Sequence, residues 1–352
     1  MKLHRLLLTV IAGTLLFVSC SDDDAVTPAP SGAYADGVLI LNQGGFQAGN
    51  ASVSFLSNDM TLENNIFAAV NNNMLLGDTA QDIGLNGDLA YIVLNNSQKI
   101  EIVNRYTFVH VGTISQGISN PRYIAFANGK AYVTNWGDGM STTDDFVAVV
   151  DLSSNTVTST IPVAEGPERI IAQNDKLYVA HYGGFGYGHT VTVINAANNT
   201  TASVNVGDVP NSLEVANGKL YVLSGGMPGW TGAETAGELH VIDLSTNAVV
   251  DSFDFDGHPS NLDIEGNDIY YTIDSAVYKM GIDAGVVPST PLFTTTGQGA
   301  YGVYSFAVHN GHIYLGDAGD YNSAGKVYVH MLSGALHESF TVGVIPAGFY
   351  FN

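Results

Sequence analysis

Short apolar runs separated by turn-forming pairs recur along most of this chain. In "PRYIAFANGKAYVTN", residues 121–135, one apolar stretch stops at Asn128 and Gly129, and a second follows directly. Asn-Gly favours the left-handed backbone of tight hairpin turns, so this pattern predicts two antiparallel strands. No stretch after residue 20 keeps helical periodicity for more than a few turns. The pattern therefore predicts an all-β protein.

The same segment recurs along the chain at a nearly constant spacing. Further copies begin at Ala80, Pro167, Pro210, Pro259 and Val303, and Pro346 begins a last copy that has no continuation. Counted from Ala80 and including Pro121, these anchor residues are 41, 46, 43, 49, 44 and 43 residues apart. Periods of this length are typical of the four-stranded blades of a β-propeller.

Two positions of the repeat keep their residue type. The third residue after each anchor is apolar, as Ile83, Ile124, Ile170, Leu213, Leu262, Phe306 and Phe349. The eleventh is a tyrosine in all six complete copies, as Tyr91, Tyr132, Tyr178, Tyr221, Tyr270 and Tyr314. A residue type repeated at one mid-strand position indicates packing between blades, so we expect these tyrosines to be structural.

The two ends of the repeat region complement each other. "GVLILNQGG", residues 37–45, matches a second strand but has no first strand before it, and "PAGFYF", residues 346–351, is a first strand with nothing after it. Pairing them would close the ring and remove open sheet edges. The sequence thus predicts a single seven-bladed β-propeller of four-stranded antiparallel blades over residues 36–352, closed by the C-terminal strand.

The first residues have the features of an export signal. Lys2 and Arg5 precede an apolar run of 13 residues, Leu6–Val18, which is too short to span a bilayer as a helix. We interpret residues 1–19 as a signal peptide. Cys20 follows in a position that resembles the lipobox of bacterial lipoproteins, although Phe17 stands where Leu is usual, so Cys20 is a candidate for acylation. An ordinary signal peptide with an unmodified Cys20 is the alternative.

Residues 20–35 are acidic, contain proline and lack a pattern, which is typical of a flexible linker. The formal net charge of −22 becomes −24 when the signal peptide and its two basic residues are removed. Nucleic acids and anionic lipid surfaces require a basic footprint, so both are poor partners for this chain. Cys20 is the single cysteine, which excludes an internal disulfide.

Several segments also resemble a known family. "AYVTN" at 131–135, "LHVIDLSTN" at 239–247 and "VGDVPNSLEVANGKLYV" at 206–222 resemble the YVTN-type β-propeller repeat of surface-layer-like proteins. Together with the lipoprotein-like start, the chain resembles the surface propeller lipoproteins of Bacteroidetes, which include cobalamin-capturing proteins. The resemblance implies a lipid-anchored protein exposed on the outer membrane. It also implies capture of a corrinoid and its delivery to a TonB-dependent transporter.

The loops after the second strands carry the candidate binding residues. Their glycine-rich insertions contain Phe46, Trp136, Tyr182, Phe185, Tyr187, Trp230 and Tyr321. At the mouth of the predicted channel, on the same face, we expect Arg122, Arg169, Asn211 and Asn261. Aromatic rings offer contact area to a broad ligand such as a corrin or a sugar. Alternatively, the rings fill gaps between blade tops, and the two arginines form salt bridges with Glu168 or Asp82.

Sequence motifs for catalysis are absent: the chain has no Gly-x-Ser-x-Gly elbow, no His-Glu-x-x-His and no cysteine pair. We therefore predict a binding protein without a catalytic site or resident cofactor. Two alternatives remain. The protein could be a scaffold that binds protein or glycan in a surface complex. It could also be a hydrolase with Ca²⁺ in the channel, held by oxygens of Asp82, Glu168, Asn211, Asn261 and Asp263.

Overall fold

The computed structural model describes residues 32–352. The predicted signal peptide, Cys20 and the linker up to residue 31 lie outside the described residues. In chain order the strands are β1 (Gly37–Asn42), β2 (Ser52–Ser57), β3 (Leu62–Glu63), β4 (Ala80–Asn86), β5 (Leu89–Leu94), β6 (Lys99–Asn104), β7 (His110–Ile114), β8 (Pro121–Ala127), β9 (Lys130–Asn135), β10 (Phe146–Asp151), β11 (Thr156–Pro162), β12 (Pro167–Gln173), β13 (Lys176–His181), β14 (Thr190–Asn195), β15 (Thr201–Asn205), β16 (Pro210–Ala216), β17 (Lys219–Ser224), β18 (Glu238–Asp243), β19 (Ala248–Asp254), β20 (Pro259–Glu265), β21 (Asp268–Ile273), β22 (Ala276–Gly281), β23 (Phe293–Thr294), β24 (Ser305–His309), β25 (His312–Asp317), β26 (Ala324–Met331), β27 (Leu336–Val344) and β28 (Pro346–Phe351).

These strands form seven antiparallel four-stranded sheets. Blade 1 has the order β28-β1-β2-β3, and blades 2 to 7 take the remaining strands four at a time in chain order. The inner strands of neighbouring blades contact one another around a central channel. One short helix, α1 (Ile66–Val70), and two 3₁₀ turns, Gly229–Thr231 and Thr296–Gln298, interrupt the strands of the described part. The predicted seven-bladed β-propeller is confirmed.

The hairpins follow the turn chemistry of the sequence. Asn128 and Gly129, between β8 and β9, have φ values of 50° and 71°. Asn217 and Gly218 repeat this conformation between β16 and β17, with φ values of 50° and 74°. Because asparagine and glycine tolerate left-handed backbone better than other residues, they place the hairpin turn and thereby set the pairing of each strand with the next.

The repeated tyrosines are buried between blades, as predicted. Tyr132 of blade 3 is 0% exposed and packs among apolar residues of blade 4. Its hydroxyl donates a hydrogen bond to the backbone oxygen of Ala196 at 3.2 Å, and the hydroxyl of Tyr178 donates to Asn247 Oδ1 at 3.2 Å. Each of these side chains joins its own blade to a turn of the following blade.

The C-terminal strand closes the ring. β28 pairs with β1 in antiparallel register, with Ile40 opposite Phe349. Arg105 of blade 2 secures the end of the strand: its Nη2 donates to the backbone oxygen of Phe351 at 2.9 Å, and its Nε donates to Asn352 Oδ1 at 2.7 Å. Among residues 32–352, no helix has the length and apolar character needed to cross a bilayer.

Candidate functional site

Connections from a second to a third strand, and from a fourth strand to the next blade, emerge on one face of the ring, which we call the loop face. Trp136 begins the connection between β9 and β10, directly after the buried end of β9. Its indole Nε1 donates a hydrogen bond to the backbone oxygen of Pro167 at 3.1 Å. This bond holds the ring, which is partly buried, against the first residue of blade 4.

Arg122 and Glu168 form a buried ion pair beside Trp136. Arg122 Nε donates to Glu168 Oε2 at 2.9 Å, and Nη2 donates to Oε1 at 2.6 Å. The guanidinium carbon lies 4.2 Å from the centre of the Trp136 ring. Burial opposes the charge of Arg122, but the charge of Glu168 outweighs it and raises the arginine pKa above its ordinary value. Arg122 therefore forms a salt bridge with Glu168, one of the two partners considered from the sequence.

Three further aromatic residues from the loop after β13 complete what we call the aromatic cluster: Trp136, Tyr182, Phe185 and Tyr187. The Phe185 ring meets the indole of Trp136 edge-on at 5.9 Å between centroids, and 77% of Phe185 is exposed. Tyr182 and Tyr187 are 39% and 44% exposed. Burial, followed by the nearby charge of Glu168, raises the pKa of Tyr182. The cluster thus offers accessible ring surface on a rigid polar base.

A second aromatic group lies on blade 7. Tyr304 and Tyr321 meet edge-on at 5.7 Å, and the Tyr304 hydroxyl donates to Gln43 Oε1 at 2.7 Å. With Tyr301, which is 82% exposed, they line a cavity of about 290 Å³. Tyr301 was missed by the sequence analysis. Its position in the glycine-rich stretch "GQGAYGVY", residues 297–304, is the signal that would have identified it.

Two of the predicted aromatic residues stand apart. Phe46 is 70% exposed and Trp230 is 85% exposed. In the described part of the chain neither forms an aromatic pair, whereas Trp136 pairs with Phe185 and Tyr304 with Tyr321. The structure therefore brings Trp136, Tyr182, Phe185 and Tyr187 together, places Tyr321 with Tyr304, and leaves Phe46 and Trp230 outside both groups.

The other predicted polar residues belong to the channel wall. The guanidinium carbon of Arg169 lies 4.4 Å from the centre of the Tyr123 ring. Asn211 Nδ2 donates to the backbone oxygen of Pro259 at 3.0 Å, which links blades 5 and 6. Asn261 has left-handed backbone with φ of 58°, and its Nδ2 donates to Thr272 Oγ1 at 3.1 Å.

The predicted calcium ligands are distributed around the channel. Asp82 Oδ2 accepts from the backbone nitrogen of Ile124 at 3.0 Å, and its Oδ1 accepts from the Tyr350 hydroxyl at 2.9 Å. Glu168 is paired with Arg122 as described above. Within residues 32–352, no group of three or more histidine, cysteine, aspartate or glutamate side chains is arranged to hold a metal ion. Calcium binding in the channel stays a prediction.

Comparison with protein families gives one match that covers most of the chain. The model described as "Domain of unknown function (DUF5074)" matches residues 36–318. The chain belongs to the DUF5074 family. A comparison of this DUF5074 protein with curated protein sequences found no significant match.

Solved structures share the fold of the DUF5074 chain. Hydrazine synthase of Kuenenia stuttgartiensis aligns with a TM-score of 0.61 and 16% identity, covering 76% of this chain and 88% of that one. The computationally designed Ika8 protein aligns with a TM-score of 0.59 and 11% identity, covering 92% and 93%. At these identities the likeness concerns the fold, and function has to be argued from the site.

Proposed function

We propose that this DUF5074 protein binds a small molecule on the loop face, at the aromatic cluster. The observation that carries the proposal is the stacking of Trp136 on the paired Arg122, with Phe185 exposed beside it. An ion pair and an indole hydrogen bond hold the Trp136 ring in place before any ligand arrives. Preorganised aromatic surface lowers the entropy lost on binding. A broad ligand of mixed polarity suits this surface, because rings and hydrogen-bonding groups lie side by side.

We propose a corrinoid as that ligand. The support is the resemblance of the repeats, including "AYVTN" at 131–135, to propeller lipoproteins that capture cobalamin. A corrinoid combines a broad macrocycle with peripheral amides. The indole and phenyl rings of the cluster would cover the macrocycle, and tyrosine hydroxyls and loop backbone groups would bond the amides. In this proposal the protein is lipid-anchored at the outer-membrane surface and passes its ligand to a TonB-dependent transporter.

The two tryptophans provide a matched test. Cyanocobalamin is mixed with the purified protein, excess ligand is removed by desalting, and retained corrinoid is measured by absorbance. We expect Trp136→Ala to weaken equilibrium binding at least about fivefold, since losing an aromatic contact costs on the order of 1–3 kcal/mol. Trp230→Ala should retain wild-type binding, because Trp230 lies on the same face but outside the cluster.

The result has two distinct negative outcomes. Absence of corrinoid retention at micromolar protein would reject the corrinoid. Retention that both tryptophan variants preserve would instead move the site away from the aromatic cluster.

A scaffold role is the second candidate. Phe46 and Trp230 are large, exposed and isolated on the loop face, which favours contact with another macromolecule. A pull-down from outer membranes should then recover a defined partner without added corrinoid, and the double variant Phe46→Ala, Trp230→Ala should lose it. Recovery of the same partner by the double variant would reject this role for the two side chains.

A further inference from the structure

The central channel contains a cavity of about 190 Å³ on the side of blades 5, 6, 7 and 1. A single water molecule needs only about 10–15 Å³ of cavity volume, so the cavity has room for a small molecule. Phe306, Phe349 and Phe351 lie along one part of its wall. Arg169 and the carboxyl group of Glu214 lie elsewhere on the same wall. None of these residues belongs to the aromatic cluster.

The repeat register shows that Glu214 is unusual. The fourth residue after each anchor occupies the same level of the channel in every blade, as Gly84, Ala125, Ile171, Glu214, Asp263, Ala307 and Tyr350. Blades 5 and 6 thus place carboxyl groups side by side where the other blades have apolar or aromatic residues. Two neighbouring carboxylates inside a protein repel each other, so this arrangement requires a physical explanation.

Asp263 has a structural explanation. Its Oδ1 accepts from the backbone nitrogen of Ile264 at 2.7 Å, and its Oδ2 accepts from the backbone nitrogen of Val308 at 2.7 Å. The second bond joins blade 6 to blade 7. Asp82 joins blade 2 to blade 3 in a similar way, through the backbone nitrogen of Ile124. Asp263 is therefore a connection between blades.

Glu214 has no such explanation. Among residues 32–352 its carboxyl group accepts no hydrogen bond and forms no salt bridge, and the partly buried side chain lines the cavity. A partly buried carboxyl group without a partner is held mainly in its neutral form, because burial disfavours the charge. Such a group can accept a cationic partner that comes from outside the chain.

Arg169 carries a positive charge on which Asp82 and Glu168 act, but it forms no salt bridge with either among the described residues. Its guanidinium stacks on Tyr123, but within the described residues none of its N–H groups donates a hydrogen bond and no carboxylate oxygen lies within 4.0 Å. Arginine carries five donors in a planar fork that matches a carboxylate. Arg169 and Glu214 line one cavity without pairing with each other.

We propose that this cavity binds a small zwitterion of the amino-acid class, with its carboxylate on Arg169 and its ammonium group on Glu214. The side-chain oxygen of Asn261, which also lines the cavity, is a further acceptor for the ammonium group. The phenylalanine rings contact the carbon chain of the ligand. A simple amine binds only Glu214, and a simple carboxylate binds only Arg169. Each therefore leaves one of the two side chains without a partner.

The electrostatics predict the pH dependence of this site. Burial, reinforced by the charge of Asp263, raises the pKa of Glu214 to about 8. Arg169 acts in the opposite direction. An ammonium group favours the ionised carboxylate, so binding releases the proton of Glu214. Affinity should therefore rise with pH until Glu214 is ionised in the free protein.

The test uses five probes that differ in charge or in chain length. Binding of glycine, β-alanine and 4-aminobutyrate to the purified protein is measured by calorimetry, with butyrate and butylamine as single-charge controls. The chain length that binds most tightly indicates the distance between the guanidinium of Arg169 and the carboxyl group of Glu214. We expect the best zwitterion to bind at least about tenfold more tightly than either control, because each charged hydrogen bond contributes about 1.5–3 kcal/mol.

Substitutions then locate the site. Glu214→Gln and Arg169→Lys should each weaken zwitterion binding, the first by loss of charge and the second by loss of the planar fork. Glu238→Gln, on the same blade but outside the channel lining, should bind as the wild type does, and melting curves establish that all three variants fold. Cyanocobalamin retention should be unchanged in Glu214→Gln and Glu238→Gln, which separates this inference from the proposed function.

Four results would overturn the proposal. One is no zwitterion binding at millimolar concentration, and another is butylamine or butyrate binding as tightly as the zwitterions. The third is zwitterion binding that survives both channel substitutions. If calcium ions compete with the zwitterion while butylamine does not, the cavity is a metal site and the amino-acid class is wrong.

Discussion

The guanidinium of Arg122 lies between the carboxylate of Glu168 and the indole of Trp136, 4.2 Å from the indole ring centre. The residues come from neighbouring blades, since Arg122 and Glu168 are 46 positions apart in the chain. This arrangement makes the aromatic cluster a rigid continuation of the channel wall.

Removing the acid alone should destabilise the protein. In Glu168→Gln, Arg122 keeps its charge in a largely buried position without a carboxylate, so we expect a loss of about 3–5 kcal/mol in the free energy of unfolding. Urea denaturation measures it. The double variant Arg122→Met, Glu168→Leu should lose much less, because no unpaired charge remains. Equal losses in the single and double variants would contradict this account.

The two tryptophans should be distinguishable by fluorescence. The chain has two tryptophans, so each single variant reports on the other. Trp230 is 85% exposed, whereas Trp136 is partly buried. Trp230→Phe should therefore emit at shorter wavelength than Trp136→Phe, and added cyanocobalamin should quench Trp230→Phe more strongly. The same emission maximum in both variants would show that Trp136 is as solvated as Trp230.

Deleting residues 346–352 should open the ring. Blade 1 would lose its inner strand, and β1 would present unpaired backbone groups along an edge. Exposed edges promote association, so we expect a lower melting temperature and concentration-dependent aggregation. A circular permutant with the same seven residues placed before residue 36 should stay monomeric and recover most of the stability. Aggregation of the permutant to the same extent would show that closure is not the cause.

Asp145 should make stability depend on pH. Burial, supported by the charges of Asp144 and Glu165, raises its pKa from 3.8 to about 6. Between these two pKa values the folded state holds a proton that the unfolded state releases. The free energy of unfolding therefore falls as the pH rises from the lower value to the higher one. Above it, the buried Asp145 Oδ2 carries charge without a hydrogen-bond partner among residues 32–352.

Asp145→Asn should remove that dependence. Its amide oxygen can still accept the hydrogen bond from the backbone nitrogen of Gly166. We expect the variant to match the wild type near pH 4 and to exceed it near pH 7.5, as measured by urea midpoints. Parallel pH profiles of variant and wild type would show that Asp145 does not titrate in this interval.

Local sequence predicted the hairpins but missed α1. Asn128 and Gly129 specify their turn through backbone preference, which acts within a few residues. The helix Ile66–Val70 is too short to be stable in isolation, and no acidic residue stands in its first turn. Ile66 and Phe67 are both 0% exposed, in the core between blades 1 and 2. Packing against residues distant in the chain therefore stabilises this helix.

The repeating residues were enough to specify seven blades and their closure, because a blade needs only the same short-range pattern of strands, turns and buried tyrosines each time. The candidate sites do not repeat. The meeting of Trp136 with Phe185, the pairing of Arg122 with Glu168 and the shared cavity of Arg169 and Glu214 depend on how different blades face one another. Loop insertions and channel contacts join residues that are far apart in the chain, so no local periodicity encodes their distances.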